Sequence, residues 1–324
     1  MIGVVSYLVF FLTLAAILAI AVLGLNLHWG NTGLFNGGIA AFFGMGAYAT
    51  ILLGGTPQAG QFGGFDLFYP VALAGGIVAS GLLAWIVGVA TLKLRHDYLA
   101  IATFGVAVAF ESFVRNSEWL TGGAKGLRGF ERPLEAAIGD PFLFNLCFFA
   151  FVLAVLTAVY YGLGRLIRSP YGRLLRAIRE DEHAAQSLGK NPARIRLASF
   201  ITGSMIIGTS GALYATFYAF VSPDDVLPIL TFQIWAMLIV GGAGNNRGAL
   251  LGAFVIWAAW TSSGWVLARL APVELQLYTG TIQYILIGLV IVGMLLARPQ
   301  GLLPEKLVIS QSGGETPRRP VQST

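Results

Sequence analysis

Val71–Ala90 reads VALAGGIVASGLLAWIVGVA, an unbroken run with no ionisable side chain. A helix needs about 20 apolar residues to cross the hydrocarbon core of a bilayer, so this stretch is long enough to span one. It is solidly apolar rather than alternating, which predicts a helix and argues against a strand of a membrane barrel. Lipid offers no partner to an unpaired backbone amide, whereas a helix pairs its amides internally.

Similar runs recur along nearly all of the 324 residues, which are 56% hydrophobic and 11% charged, with a mean hydropathy of +0.75. Too few polar groups remain to coat a water-soluble globule of this size. Nine spans are read, at about residues 4–27, 33–53, 70–92, 98–115, 141–163, 197–219, 226–243, 248–266 and 276–298. The prediction is an all-α polytopic membrane protein, a bundle of about 8–10 transmembrane helices. The 33–53 segment and the 226–266 pair are dense in glycine, so a re-entrant or broken helix stands beside a straight crossing as a reading of each. The first run begins at Met1 without a basic flank and lacks a small-residue cleavage site. It is therefore expected to stay as a helix rather than to be removed as a signal peptide. The organisation expected is one transmembrane domain over 1–304 and a disordered cytoplasmic tail over 305–324, rich near its end in Ser, Gly, Pro and Thr.

The net charge of +5 comes from basic residues that collect in loops at the ends of apolar runs. With the 165–196 loop on the cytoplasmic side, fifteen of the 20 Lys and Arg fall on that side. This is the bias that positive-inside orientation produces, and it explains the charge better than a nucleic-acid partner does. It puts the N-terminus outside and the C-terminus inside.

Two hydrophilic stretches exceed ordinary connectors. The outer one, 116–140, mixes both charge signs with glycine and proline. The inner one, 165–196, has Leu174, Leu175, Ile178, Ala185 and Leu188 at helical steps among charged neighbours, which predicts one amphipathic helix from about Arg173 to Leu188, ended by Gly189 and Pro192. Its apolar stripe needs lipid headgroups or a cytosolic protein, unless the segment is a solvated face that only fixes topology.

The wording of that loop, Arg176-Ala-Ile-Arg-Glu-Asp-Glu-His-Ala-Ala-Gln-Ser-Leu-Gly-Lys-Asn-Pro, resembles the coupling loop of ABC importer permeases of the branched-chain amino acid group. In that family the loop docks into a cleft on the ATPase subunit. Arg176, Glu180, Glu182, Ala184, Ala185, Gly189 and Asn191 match the pattern, so the resemblance implies that they form the ATPase-coupling site. Small Ala184 and Ala185 suit close approach, and Gly189 suits a sharp turn after the helix. His183 falls at a variable position and reads as a surface residue.

The likeness extends along the chain. Leu25-Asn-Leu-His-Trp-Gly-Asn-Thr-Gly-Leu-Phe-Asn-Gly-Gly-Ile-Ala-Ala-Phe-Phe-Gly-Met-Gly-Ala-Tyr, Lys93-Leu-Arg-His-Asp-Tyr-Leu-Ala-Ile-Ala-Thr-Phe-Gly, Thr121-Gly-Gly-Ala-Lys-Gly-Leu, Val240-Gly-Gly-Ala-Gly and Ala297-Arg-Pro-Gln-Gly-Leu are similar to stretches of the same permeases in the same order. They span 25–302, and the resemblance is to the M-type member of a two-permease pair, although Asn36-Gly37 stands where a Ser and another small residue are more usual. It implies a homologous permease partner (the H-type), two cytosolic ABC ATPase subunits that bind ATP and Mg, and a solute-binding protein outside. No nucleic acid is implied.

Asn26, Gly30, Thr32, Gly33, Asn36, Gly37, Gly44 and Gly46 are small or polar residues in or beside spans. They either pack helices or line a path for a zwitterion. Gly33 and Gly37 are spaced by one helical turn, and Gly244, Gly248 and Gly252 share that spacing, which suits a tight hairpin. Thr121, Gly122, Gly123 and Gly126 in the outer stretch form an outer gate, a docking surface for the binding protein, or a plain turn. Glu111 and Arg115 read as an i,i+4 ion pair rather than a proton relay. Trp29, Tyr69, Trp119, Trp265 and Tyr278 read as interfacial anchors. The single cysteine, Cys147, reads as a packing residue and excludes an internal disulfide.

No GxxxxGK[ST] phosphate loop occurs, and three scattered histidines make no metal cluster. The chain therefore reads as a transport subunit without a catalytic site, and ATP must bind elsewhere. Two other readings stand beside the amino acid importer. One keeps its architecture for urea, short amides or another small polar solute. The other is an ion-coupled carrier, which would need intramembrane ionisable groups, and Glu111 is the sole credible acid.

Overall fold

The computed structural model describes residues 2–57, 62–94, 96–130, 132–133, 135–270, 278–298 and 300–305. Lys306, Arg318 and Arg319, with the rest of the expected tail from 306 onward, lie outside the described residues. Helices dominate: α1 (Ile2–Asn26), α2 (Ile39–Gly54), α3 (Tyr69–Thr91), α4 (His96–Asn116), α5 (Glu118–Thr121), α6 (Glu135–Ile138), α7 (Pro141–Arg168), α8 (Pro170–Glu180), α9 (Glu182–Ser187), α10 (Pro192–Tyr218), α11 (Ile229–Gly241), α12 (Asn246–Leu270) and α13 (Thr279–Ala297). Among the described residues, 7 helical runs are long and apolar enough to cross a membrane. The shorter apolar helices α2 and α11 complete the set of spans read from the sequence.

The core is built around α1 and α10. From Leu14 to Asn26, α1 is buried on every side, and α10 packs against α1, α2 and α3. Small residues make this possible. A methyl group at Gly46 would collide with the Gly208 carbonyl, so α2 and α10 cross with their backbones in contact. On the far side α11 and α12 form a tight hairpin in which a Cβ at Gly252 would strike the Met237 carbonyl. The Gly248 and Gly252 spacing read as a hairpin signal lies at that crossing. The outward faces of α3, α7, α12 and α13 carry exposed large apolar side chains, as lipid contact requires.

The structure corrects three local expectations. The second span is broken at its start, one of the two readings that its glycine density left open. Residues 33–38 are non-helical, Gly33 has φ +72°, and α2 starts only at Ile39, so Gly33 and Gly37 do not share a helix face. The amphipathic inner segment is two helices rather than one. Asp181, at φ -152°, ends α8 and caps α9, its carboxylate accepting the His183 and Ala184 amides at 2.9 and 3.0 Å. Trp29 and Tyr69, read as interfacial anchors, are half-buried among other aromatic rings. Trp29 packs edge-on against Phe35 and Trp235, and Tyr69 packs against Phe130 and Phe151. Cys147 is exposed on α7 rather than packed inside.

Candidate functional site

The inner loop supplies an unusual exposed element. Ser169 and Pro170 open α8, and Leu175 and Ile178 pin it to the bundle. Ala185 pins α9 in the same way, and Glu182 pairs with Arg196 at 2.8 Å. Asn191 caps α10, its side chain accepting the Arg194 amide at 3.1 Å. Arg176 lies half-buried with its guanidinium 3.4 Å from the Ile167 carbonyl. Glu180 and Ala184 are exposed, and Gly189 turns the chain at φ +74°. Beside that turn Leu188 is 80% exposed, so the stripe read from the sequence divides. Leu175, Ile178 and Ala185 face the bundle, while Leu188 projects away from it.

Arg179, on the last turn of α8, reaches back into the membrane domain. Its guanidinium donates to the Gly30 carbonyl and pairs with Glu305 at 3.0 Å. Gly30 lies in a π-helical turn, Leu27–Asn31, that ends α1. This turn and the break after it are held by side chains. Asn26 donates to Asn246 at 2.9 Å and accepts the Gly244 amide at 2.8 Å, tying α1 to the α11–α12 turn. Thr32 pairs with Ser199 at 2.7 Å. His28 Nε2 lies 2.9 Å from the Phe200 carbonyl, which can only accept, so Nε2 carries the proton. Nδ1 is left to accept from Asn36 Nδ2 at 3.2 Å, and Asn36 Oδ1 takes the Gly38 amide at 2.8 Å. Every buried polar group named here has a partner, which fixes the shape of the break.

The break forms one wall of a half-open cavity of about 620 Å³, shared with α4, α11 and α13. Trp29, Phe35, Phe104, Phe232 and Trp235 dominate its lining, and Phe35 stacks on Trp235 with ring centroids 4.3 Å apart. The Trp235 indole donates to the Asn36 carbonyl at 2.9 Å. Gly37 also lines the cavity because its amide is held by Thr103 at 2.8 Å and a larger residue would meet the Ala100 carbonyl. Thr231 is the one lining side chain with a hydroxyl, and it accepts the Ala40 amide at 3.1 Å. The cavity can therefore receive an apolar group and offers no fixed charge.

Of the other residues singled out in the sequence, Gly30 and Gly46 sit at close backbone crossings, and Gly44 packs against Phe110 and Val226. Sequence alone does not single out Phe35, Phe104, Phe232 or Trp235. Apolar aromatics are common in membrane spans, and only folding brings positions 35 and 235 together. The Trp29 and Phe35 pair flanking a Gly-Asn-Thr-Gly run is the one local signal.

At the opposite end, Thr121 donates to the Val114 carbonyl at 2.6 Å, and Gly122, Gly123 and Gly126 have φ of 71°, 58° and 69°. Leu127 makes an antiparallel bridge with Val221, so this loop is a folded turn attached to the α10–α11 connection. Arg115 pairs with Glu111 at 2.6 Å, as the spacing predicts, and also with Asp224 at 3.0 Å. Among the described residues, no group of three or more His, Cys, Asp or Glu gathers to hold a metal.

A family model described as the permease component of branched-chain amino acid transport systems matches residues 7–295. Among curated proteins, the chain is 31% identical to the high-affinity branched-chain amino acid transport system permease protein LivM of Salmonella typhimurium, over 94% of this chain and 72% of that one. It is 30% identical to LivM of Escherichia coli, over 90% and 69%. Salmonella typhimurium LivH, a permease of the same named system, is 22% identical over 76% of this chain and 82% of its own length.

Proposed function

Because the chain belongs to the family of permease components of branched-chain amino acid transport systems, we propose that it forms half of the membrane channel of an ATP-driven importer for leucine, isoleucine, valine or related neutral amino acids. It is a multi-pass inner-membrane protein. In this reading a homologous, H-type permease completes the channel, two cytosolic ABC ATPase subunits bind ATP and Mg below it, and a solute-binding protein delivers amino acid from outside. The α8–α9 segment is the coupling element, with Glu180, Ala184, Leu188 and Gly189 facing the ATPase.

One observation carries the reading. Arg179 joins the coupling segment directly to the π-helical turn that borders the aromatic cavity. Displacement of α8 by a closing ATPase pair would act on Gly30, on the 33–38 break and so on Phe35 and Gly37. This is the physical content of alternating access here: a short non-helical element, rather than a whole span, is moved. The cavity supports an aliphatic side chain in preference to urea, since its walls are aromatic and aliphatic and its hydroxyl is already engaged. The absence of a fixed charge suits a zwitterion that must be released.

The test is reconstitution with the homologous permease, the ATPases and the binding protein in vesicles, comparing ATP-dependent uptake of leucine, isoleucine, valine, other neutral amino acids and urea. Saturable uptake of leucine, isoleucine or valine that stops without ATP is expected. Uptake driven by an ion gradient with the ATPases absent would replace the importer reading with that of an autonomous carrier.

A further inference from the structure

A second cavity, of about 670 Å³, lies between the end of α3, the first turn of α9 and the start of α10. Its floor is apolar, formed by Gly88, Val89, Leu92 and Leu197, and its rim is basic, with Lys93 and Arg194. Glu182, the acid on the rim, is held by Arg196 at 2.8 Å, so that pair contributes no net charge. Lys93 and Arg194 are exposed and have no ion-pair partner among the described residues. The site therefore carries about two uncompensated positive charges over a greasy floor.

We infer that this cavity binds an anionic phospholipid, its phosphodiester between Lys93 and Arg194 and an acyl chain over Val89 and Leu197. The floor selects the occupant. Val89 is 50% exposed and continues the outward row of Trp85 and Ile86 on a helix long and apolar enough to cross a membrane, a row of the kind that acyl chains cover. Inorganic phosphate would satisfy the rim and leave the floor bare. A zwitterionic lipid would cover the floor but carry its own ammonium to the basic rim. Since Glu182 and His183 form the α9 wall, a bound lipid would brace the coupling segment against α3. That consequence rests on the importer reading of α9, whereas the binding itself does not.

Lipid retention is measured by native mass spectrometry on the purified full-length chain after exchange into vesicles of phosphatidylglycerol, phosphatidylethanolamine or neutral diacylglycerol. Phosphatidylglycerol should be retained and the other two washed away. In the Lys93→Gln/Arg194→Gln double variant its affinity should fall about thirtyfold, the effect of two basic residues at an anionic headgroup. Val89→Trp, which fills the floor and leaves both charges, should also lower retention and serves should the double variant fail to fold. Equal retention of the three lipids, undiminished retention in either variant, or displacement of phosphatidylglycerol by millimolar inorganic phosphate would each overturn the assignment. None of these readouts involves transport, so failure here is distinct from failure of the importer reading.

Discussion

Arg179 and Gly30, separated by 149 positions in sequence, share a hydrogen bond that joins the helix before Asp181 to the π-helical turn at the end of α1. The guanidinium that donates to the Gly30 carbonyl is held in turn by Glu305 at 3.0 Å. Planar and permanently charged, it holds Glu305 through both terminal nitrogens, at 3.0 and 3.3 Å, while one of them also serves the Gly30 carbonyl, a fork that a lysine lacks.

Replacing Arg179 by Ala should separate ATP hydrolysis from transport. A hydrogen bond to a charged group contributes about 1.5–3 kcal/mol, so the loss should leave the fold intact while freeing the turn from α8. We expect ATP-driven uptake in vesicles to fall about tenfold or more while basal ATPase activity and subunit assembly persist. Arg179→Lys should restore little. A parallel loss of ATPase docking would mean that Arg179 acts at the cytosolic surface instead.

Leu188 should matter to docking and not to folding. It is 80% exposed, and burying a leucine against a partner is worth about 1.5–3 kcal/mol. Leu188→Asp should therefore weaken association with the ATPase subunits about ten- to a hundredfold in a titration, with unchanged thermal unfolding of the permease alone. Lower thermal stability would place Leu188 in the bundle.

Gly46 and Gly105 give a matched pair for the packing argument. A Cβ at Gly46 meets the Gly208 carbonyl, whereas one at Gly105 meets nothing within 4 Å. Gly46→Ala should destabilise the detergent-solubilised protein by about 1–3 kcal/mol, as overpacking does, and Gly105→Ala should not. Equal effects in denaturant unfolding would show that the α2–α10 crossing is looser than described.

The spans were legible because a run such as 71–90 has one physical solution in lipid, and the Glu111–Arg115 pair was legible because its partners lie one helical turn apart. The inner loop was half legible: periodicity located Leu175, Ile178 and Ala185, but Asp181 breaks the helix by capping the amides that follow, a local competition that the stripe conceals. The 33–38 break was legible only as an alternative to a straight crossing, from the glycine density of the segment. Its glycines have helical spacing, and what stops the helix is a set of distant partners, among them Thr103 for the Gly37 amide and Trp235 for the Asn36 carbonyl. Asn36 itself looks like a stray polar group in sequence and proves to be a joint, bound through His28 to the Phe200 carbonyl on α10.

The aromatic cavity makes a claim about selectivity that the coupling variants do not touch. Phe232 is 51% exposed and stands beside Phe104 with ring centroids 5.7 Å apart, so its ring bounds the space without supporting the core. Trp235, by contrast, is buried and hydrogen-bonded, and its removal would disturb the break. Phe232→Ala should therefore enlarge the cavity with little loss of stability. Hydrophobic pockets discriminate by about 1–3 kcal/mol for each methylene-sized difference. The ratio of phenylalanine to leucine uptake should consequently rise about tenfold or more, with ATPase docking unchanged. Competition uptake in reconstituted vesicles reads this ratio directly. An unchanged ratio with normal leucine transport would show that the solute does not pass this wall.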